Sequence, residues 1–318
     1  MINAFCNKVK EQVEKIVFSN IKNGVCTDVN AADKNPVRAY CDATEILSMF
    51  GKQESFQKRE FLLNELEKTS TNEIDYTMMC VGYALENFGT NISQPVSAAV
   101  DLKGEKLVEW LDTHFNKQRA LPAWSFGSDT DALGTAFYQN NKHFGLKFDS
   151  ESLFNWLEKN INPEFGMWGS GDDILDMVNG FYRLTRGTYA QFNMDLPIPE
   201  KTIDVVLAHA EKVLEKPENI TACNTLDIIH PLWLCKKQTD YRADEGYAFA
   251  QKWIGNVLDN WVDDKGFAFE LLNHQKTSMM GTEMWLSILY MLCDYANVSD
   301  ALNYIPKGIH RPYTNNNL

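Results

Sequence analysis

The stretch Trp124–Gly145 reads WSFGSDTDALGTAFYQNNKHFG, with two aspartates two positions apart, Asp129 and Asp131. A carboxylic acid held among apolar groups keeps its proton towards neutral pH and can deliver it to a bond it is breaking or forming. Aromatic residues lead into this pair and an apolar helical pattern follows, which is the setting such an acid needs. Other acids recur in the same relation to a helix start. Asp42 and Glu45 precede or open one apolar segment, Asp75 another, and Asp172, Asp173 and Asp176 a third. Asp227 and Glu283 do so further on. Asp is also a preferred N-cap, and unpaired N–H groups and the helix dipole favour acids in a first turn. Ser128 and Asp129 suit that capping role. Asp131, Asp176 and Glu283 lie further in, where a side chain can face an interior. The expected division is therefore Asp131 as acid, Asp129 as cap, and Asp42, Asp173 or Asp176 as partner carboxylate.

Acids can work together only if the fold brings them together. Three segments share one plan: LVEWLDTHFNKQRALPAWSFGSDTDALGTAFY, LFNWLEKNINPEFGMWGSGDDILDMVNGFY and AQKWIGNVLDNWVDDKGFAFELLNHQKTSMMGTEMWLSILY. Each opens on a helical pattern with a Trp (Trp110, Trp156, Trp253), turns through Gly or Pro, and starts a second helix beside an acid. Second helices end on Gly51, Gly89, Gly145, Asn193 and Asn297, the residues that accept a left-handed C-cap. A further copy, LDIIHPLWLCKKQTDY, ends near Tyr241, with Pro231 expected to kink it or fix its first turn. That predicts six late helices ending near 50, 88, 144, 192, 241 and 296. Six earlier ones cover roughly 3–22, 54–68, 104–117, 151–160, 200–215 and 243–260. The early set is amphipathic and the late set apolar on more of its circumference, so the late set is expected inside. Strand signals are nearly absent. The expected fold is all-α, one (α/α)6 toroid over residues 1–308, with 309–318 as a flexible polar tail.

In such a ring the inner helices share a direction, so their N-termini and acids gather at one mouth. Tyr40, Tyr76, Trp124, Trp168, Phe267, Phe269 and Trp285 belong to the same end, and Arg38, Arg183, Arg186, His230 and His274 could bring positive charge to it. Tyr40, Tyr76, Trp124, Trp168, Asp173, His230, Phe269, Glu283 and Trp285 are the candidate substrate-binding set, with Asp131, Asp129, Asp176 and Asp42 as the candidate catalytic set. No motif demands a metal, although a ring of carboxylates offers oxygen ligands for Ca²⁺ or Mg²⁺.

Composition narrows the classes. The chain has 318 residues, 44% hydrophobic and 12% aromatic, with a formal net charge of −13. No cluster of Lys and Arg offers a nucleic-acid groove, and no apolar run reaches the ~18 residues a membrane span needs. The start, MINAFCNKVKEQVEKIVFSN, reads as a helix with no apolar core of a signal peptide. Seven scattered cysteines without a CxxC are expected as reduced thiols in a cytoplasmic protein.

The repeat WL…NPEFGMWG… resembles those of the α/α-toroid superfamily, which includes class II terpene cyclases and protein prenyltransferase β subunits. SDTDALGTA looks like the DxDD stretch of class II cyclases, followed by Thr and Ala, with Ala132 in the fourth acid's place. The resemblance implies acid-initiated cyclisation or isomerisation of an isoprenoid, with Asp131 as the proton donor. Asp227, His230 and Cys235 do not reproduce the zinc pattern of the prenyltransferases in order or spacing. Glycoside hydrolases and unsaturated-uronyl hydrolases with (α/α)6 barrels share the architecture. They imply instead two carboxylates in an aromatic-lined cleft acting on an oligosaccharide. A toroid serving only as a binding scaffold is the third expectation.

Overall fold

The computed structural model describes residues 1–22, 25–28, 36–53, 59–115 and 123–312, and over these the chain is predominantly helical. Helices come in successive pairs. α1 (Ile2–Ser19) and a two-residue hairpin, β1 (Ile21–Lys22) with β2 (Val25–Cys26), precede α2 (Pro36–Met49). α3 (Arg59–Thr69) precedes α4 (Tyr76–Glu86). After a short α5 (Ser97–Val100), α6 (Glu105–His114) precedes α7 (Ala123–Phe144). α8 (Ser150–Asn160) precedes α9 (Ile174–Thr185), which runs on into a π-helical turn, Arg186–Ala190. α10 (Pro199–Val213) precedes α11 (Ala222–Lys236), and α12 (Ala243–Asp259) precedes α13 (Met279–Tyr295).

The two members of a pair differ as their sequences do. α12 buries only Gly246, Ala250, Trp253 and Val257, one stripe at helical spacing, whereas α13 is buried along nearly its whole length. The second helices therefore form the middle of the core. They pack in succession, α2 on α4, α4 on α7, α7 on α9, α9 on α11 and α11 on α13, and α13 packs on α2. Neighbours run parallel. Asn179 and Tyr182 of α9 meet Asp227 and His230 of α11, both reached 48 positions later. Tyr83 and Glu86 of α4 meet Thr135 and Tyr138 of α7, both reached 52 positions later.

Helix ends follow the expected chemistry. Gly51, Gly89, Gly145, Asn193 and Asn297 all have left-handed φ. The N–H of the residue after each returns to a carbonyl of the last turn at 2.8–3.2 Å, satisfying groups the helix leaves open. α11 ends at Lys236, with Pro231 inside it and the left-handed Arg242 opening α12. α7 and α9 approach most closely. A Cβ on Gly127 would fall on the Gly180 carbonyl, and one on Gly134 on the Gly187 carbonyl, so this seam requires glycine on both sides.

Three sequence expectations change. α7 begins at Ala123, so Asp129 is not its N-cap but an exposed residue inside the helix. Asp42, Glu45, Asp131, Asp227 and Glu283 likewise lie within their helices, one or more turns past the start. The segment from 309 on, expected to fray, is buried or half-buried through residue 312; residues 313–318 lie outside the described residues. Among the described residues none of the seven cysteines forms a disulfide, and no helix is long and apolar enough to cross a membrane.

Candidate active site

On α2, Arg38, Asp42 and Glu45 stand at i, i+4 and i+7 and so share one stripe. That stripe faces the space between the second helices. Arg38 Nε donates to Asp42 Oδ1 at 2.6 Å, Nη1 to the Tyr76 hydroxyl at 2.6 Å, and Nη2 to Glu283 Oε2 at 3.3 Å. Glu283, on the second turn of α13, also accepts from the Ser287 hydroxyl at 3.0 Å and meets His310 Nδ1 at 2.6 Å. Glu45 Oε1 accepts from the Ile309 N–H at 3.1 Å. Asp42, Glu45 and Glu283 are all 0% exposed, and one oxygen from each lies within 4.8 Å of the other two. Asp42 Oδ2 and Glu45 Oε2 have no hydrogen-bond partner among the described residues.

Three carboxyls face one guanidinium in a desolvated place, and their proton affinities separate accordingly. Burial, with the Glu283 charge beside it, pushes the Glu45 carboxyl well above the carboxylate range. Burial raises Asp42 to about 7 against the opposing pull of Arg38. Burial would raise Glu283 too, but His310, Arg38 and the Ser287 hydroxyl overcome it and hold Glu283 below its usual value. Burial lowers His310 to about 4 despite Glu283, so a neutral imidazole donates its Nδ1–H to an ionised Glu283. The site thus holds a protonated carboxyl (Glu45), one that titrates near neutrality (Asp42) and a fixed carboxylate (Glu283). The same three could by spacing share a cation, but the positive charge already among them is the Arg38 guanidinium, bonded to two of them.

A second polar group lies across the interior. Arg186, in the π-helical turn, pairs with Asp131 of α7 through Nη2 and Nε, reaches the Tyr182 hydroxyl at 3.2 Å and touches the Met79 sulfur at 3.3 Å. Burial raises the Asp131 carboxyl while Arg186 pulls it back. Asp227 of α11 accepts from the Asn179 amide at 2.8 Å, and burial raises it well above normal against Arg183 and Arg186. The buried His230 ring stands edge-on to Tyr182 at 5.0 Å, with Nδ1 lacking a partner among the described residues. Burial pushes the Cys80 and Cys223 thiols up to about 12, which removes them as nucleophiles near neutral pH.

The expected site residues thus separate. Asp42, Glu283 and Tyr76 meet at Arg38. Asp131 and His230 line the interior elsewhere. Asp129 faces solvent, and two positions along a helix from Asp131 it points away from it. Asp173 caps α9 by accepting from the Asp176 N–H at 3.1 Å. Asp176 accepts from the N–H groups of Ala123 and Trp124, at 2.5 and 3.3 Å, which caps α7 from the neighbouring helix. Tyr40 packs on Phe61, Trp168 on Phe181 and Tyr189, and Trp285 donates to the Phe269 carbonyl at 3.3 Å; Tyr40, Trp168 and Trp285 fill the core, and the half-buried Phe269 packs against it. Trp124 is 43% exposed over Arg183. Sequence reasoning overlooked Gly308–Arg311, Ser287, Tyr83 and Glu86. The spacings Arg38–Asp42 and Glu283–Ser287, both i, i+4, were the available signal for part of this set.

Comparison with protein-family models, with curated proteins and with solved structures finds no match to this chain.

Proposed function

We propose that this protein is an enzyme that uses carboxylate acid–base chemistry in the lumen of an (α/α)6 toroid, with Glu45 as proton donor and Glu283 as the ionised partner. The observation that carries it is the carboxyl pair Asp42–Glu45, fully buried, each with one oxygen unbonded, beside an ionised Glu283. Environments that drive neighbouring carboxyls apart in proton affinity are how one site holds an acid and a base at one pH. Succession of the six second helices from α2 round to α13 and back to α2 supports the toroid.

Of the two chemistries the sequence suggests, a hydroxyl-bearing oligosaccharide suits this lumen better than an isoprenoid. Asp129 stands outside and Asp131 is held by Arg186, so the cyclase-like pair is divided. The unbonded polar atoms include acceptors (Asp42 Oδ2, Gln139 Oε1) and hydroxyls (Ser48, Thr130, Thr225), which sugar hydroxyls would satisfy. The test is turnover of a panel of neutral and uronic oligosaccharides by the full chain and by Glu45→Gln. Loss of at least ~100-fold in rate with an unchanged fold supports the reading. Turnover by Glu45→Gln at the wild-type rate overturns it, as does a panel of saccharides none of which is bound or cleaved either by the chain or by its Gly308→Val variant, in which the segment packed on Glu45 is displaced.

A further inference from the structure

Residues 305–312 belong to no helical pair, yet they run into the space the pairs enclose. Ile305 and Lys307 are exposed, and Gly308, Ile309 and His310 are buried. Gly308 O accepts from the Arg311 N–H at 3.2 Å, so Gly308–Arg311 make a β-turn. All four residues of the turn meet the lumen wall, Gly308 and Ile309 at Glu45, His310 at Glu283 and Arg311 at Glu86. Gly308 lies so close to Glu45 that a Cβ would occupy the space of its carboxyl. The Ile309 N–H donates to Glu45 Oε1 at 3.1 Å, and His310 Nδ1 meets Glu283 Oε2 at 2.6 Å. Arg311 Nη1 donates to Glu86 Oε2 at 3.0 Å, Nη2 reaches Gln191 at 3.5 Å, and the guanidinium lies over Tyr83 and Tyr138, 4.4 and 4.8 Å from their centroids.

A segment that merely closed the end of a core would be apolar. This one brings a glycine, an imidazole and a guanidinium to three buried carboxyl groups on three different helices, α2, α13 and α4. It does not close its place fully either, since a small cleft persists between Arg186, Ala190 and Gln191 on one side and Arg311 and Pro312 on the other.

We propose that the wall formed by Glu45, Glu283, Glu86, Tyr83 and Tyr138 is a binding site for a basic peptide turn, that residues 308–311 fill it in cis, and that the chain in this form is self-blocked. Only the blocking depends on the acid–base reading; the peptide site stands on the contacts alone. Tethering gives the cis segment an effective concentration that a free peptide cannot match, so the site opens to a peptide in trans only when the segment is displaced.

Gly308→Val in the full-length chain displaces it, because the added side chain and the Glu45 carboxyl cannot share one volume, while every wall residue stays as it is. A synthetic peptide of residues 305–318 is then titrated by calorimetry. The expected result is no binding to the wild-type chain and saturable binding to Gly308→Val. Binding should weaken by about tenfold or more when the peptide carries Arg311→Ala, the loss of one charge-assisted contact. Trypsin should also cut after Lys307 faster in the variant. A Gly308→Val chain with wild-type helicity that binds no peptide overturns the proposal. If that variant does not fold, hydrogen exchange on the wild-type chain decides. An Ile309 amide exchanging about a hundredfold faster than the amides of α2 and α13 supports a separable segment, and exchange only on global unfolding overturns it. None of these readouts needs turnover, so failure of the peptide site and failure of the Glu45 chemistry are told apart.

Discussion

Two buried seams of this protein set arginine against carboxylate, and they are balanced differently. Between α7 and α9, Arg186 meets Asp131, and the backbones close to contact at paired glycines. Between α13 and α2, Arg38 bonds to Asp42 and Glu283 while Glu45 stands beside them with no cation of its own. One charge against one is a complete unit that only has to be kept. One against three leaves a surplus carboxyl, and burial settles the surplus by retaining a proton. The first arrangement holds two helices together; the second, on the function proposed above, would supply the proton for acid chemistry.

The largest expected effect tests the balanced seam. Arg186→Met leaves Asp131 buried and unpaired and should cost about 3–5 kcal/mol in urea unfolding. Replacing both partners, Arg186→Met with Asp131→Leu, should recover most of that loss, since an apolar pair needs no compensation. Glu45→Gln on the other seam replaces a neutral carboxyl with a neutral amide of nearly the same shape, so its cost should stay below ~1 kcal/mol. Equal losses for Arg186→Met and Glu45→Gln would break the distinction.

A medium effect sharpens it through pH. Asp42 rises from 3.8 to about 7 on folding, so the folded chain holds an extra proton and stability falls as pH climbs through that window. His310 drops from 6.5 to about 4, so the unfolded chain binds the extra proton and stability falls as pH decreases through that window. The two slopes oppose each other between pH 4 and 6.5. Relative to the wild type, Asp42→Asn should shift the slope there towards stability rising with pH, and His310→Gln should shift it towards stability falling. Denaturant midpoints at several pH values measure both, and matching slopes in the two variants would show that the site's charges are not divided as described.

Much of the helical framework was legible in the sequence, because its signals are local. Gly or Asn after an apolar helix and the amphipathic stripe of the first helices depend on neighbours within a few residues, and each is met at Gly51, Gly89, Gly145, Asn193 and Asn297. The acids were legible as residues but not as roles. Asp129 and Asp131 look like one motif on the page, whereas a helix sends them to opposite sides, and the start of α7 depends on a cap supplied by Asp176 from another helix. Arg186 finds Asp131 across 55 residues, and Arg38 finds Glu283 across 245. No local pattern encodes such pairs, and a polar end such as Gly308–Arg311 reads as a tail until the carboxylates it meets are known.

The smallest expected effect concerns the two aspartates that stand out most in the sequence. Asp129 is exposed, so Asp129→Asn should change stability by no more than ~0.5 kcal/mol and leave turnover alone. Asp131→Asn keeps an oxygen for Arg186 but removes the charge that compensates it, so its main effect should be on stability. Activity per folded molecule should hold in both variants, because neither side chain belongs to the group around Glu45. If Asp131→Asn instead leaves the unfolding midpoint in place and abolishes turnover, then the balanced seam is the one that carries the chemistry, and the comparison between the seams inverts.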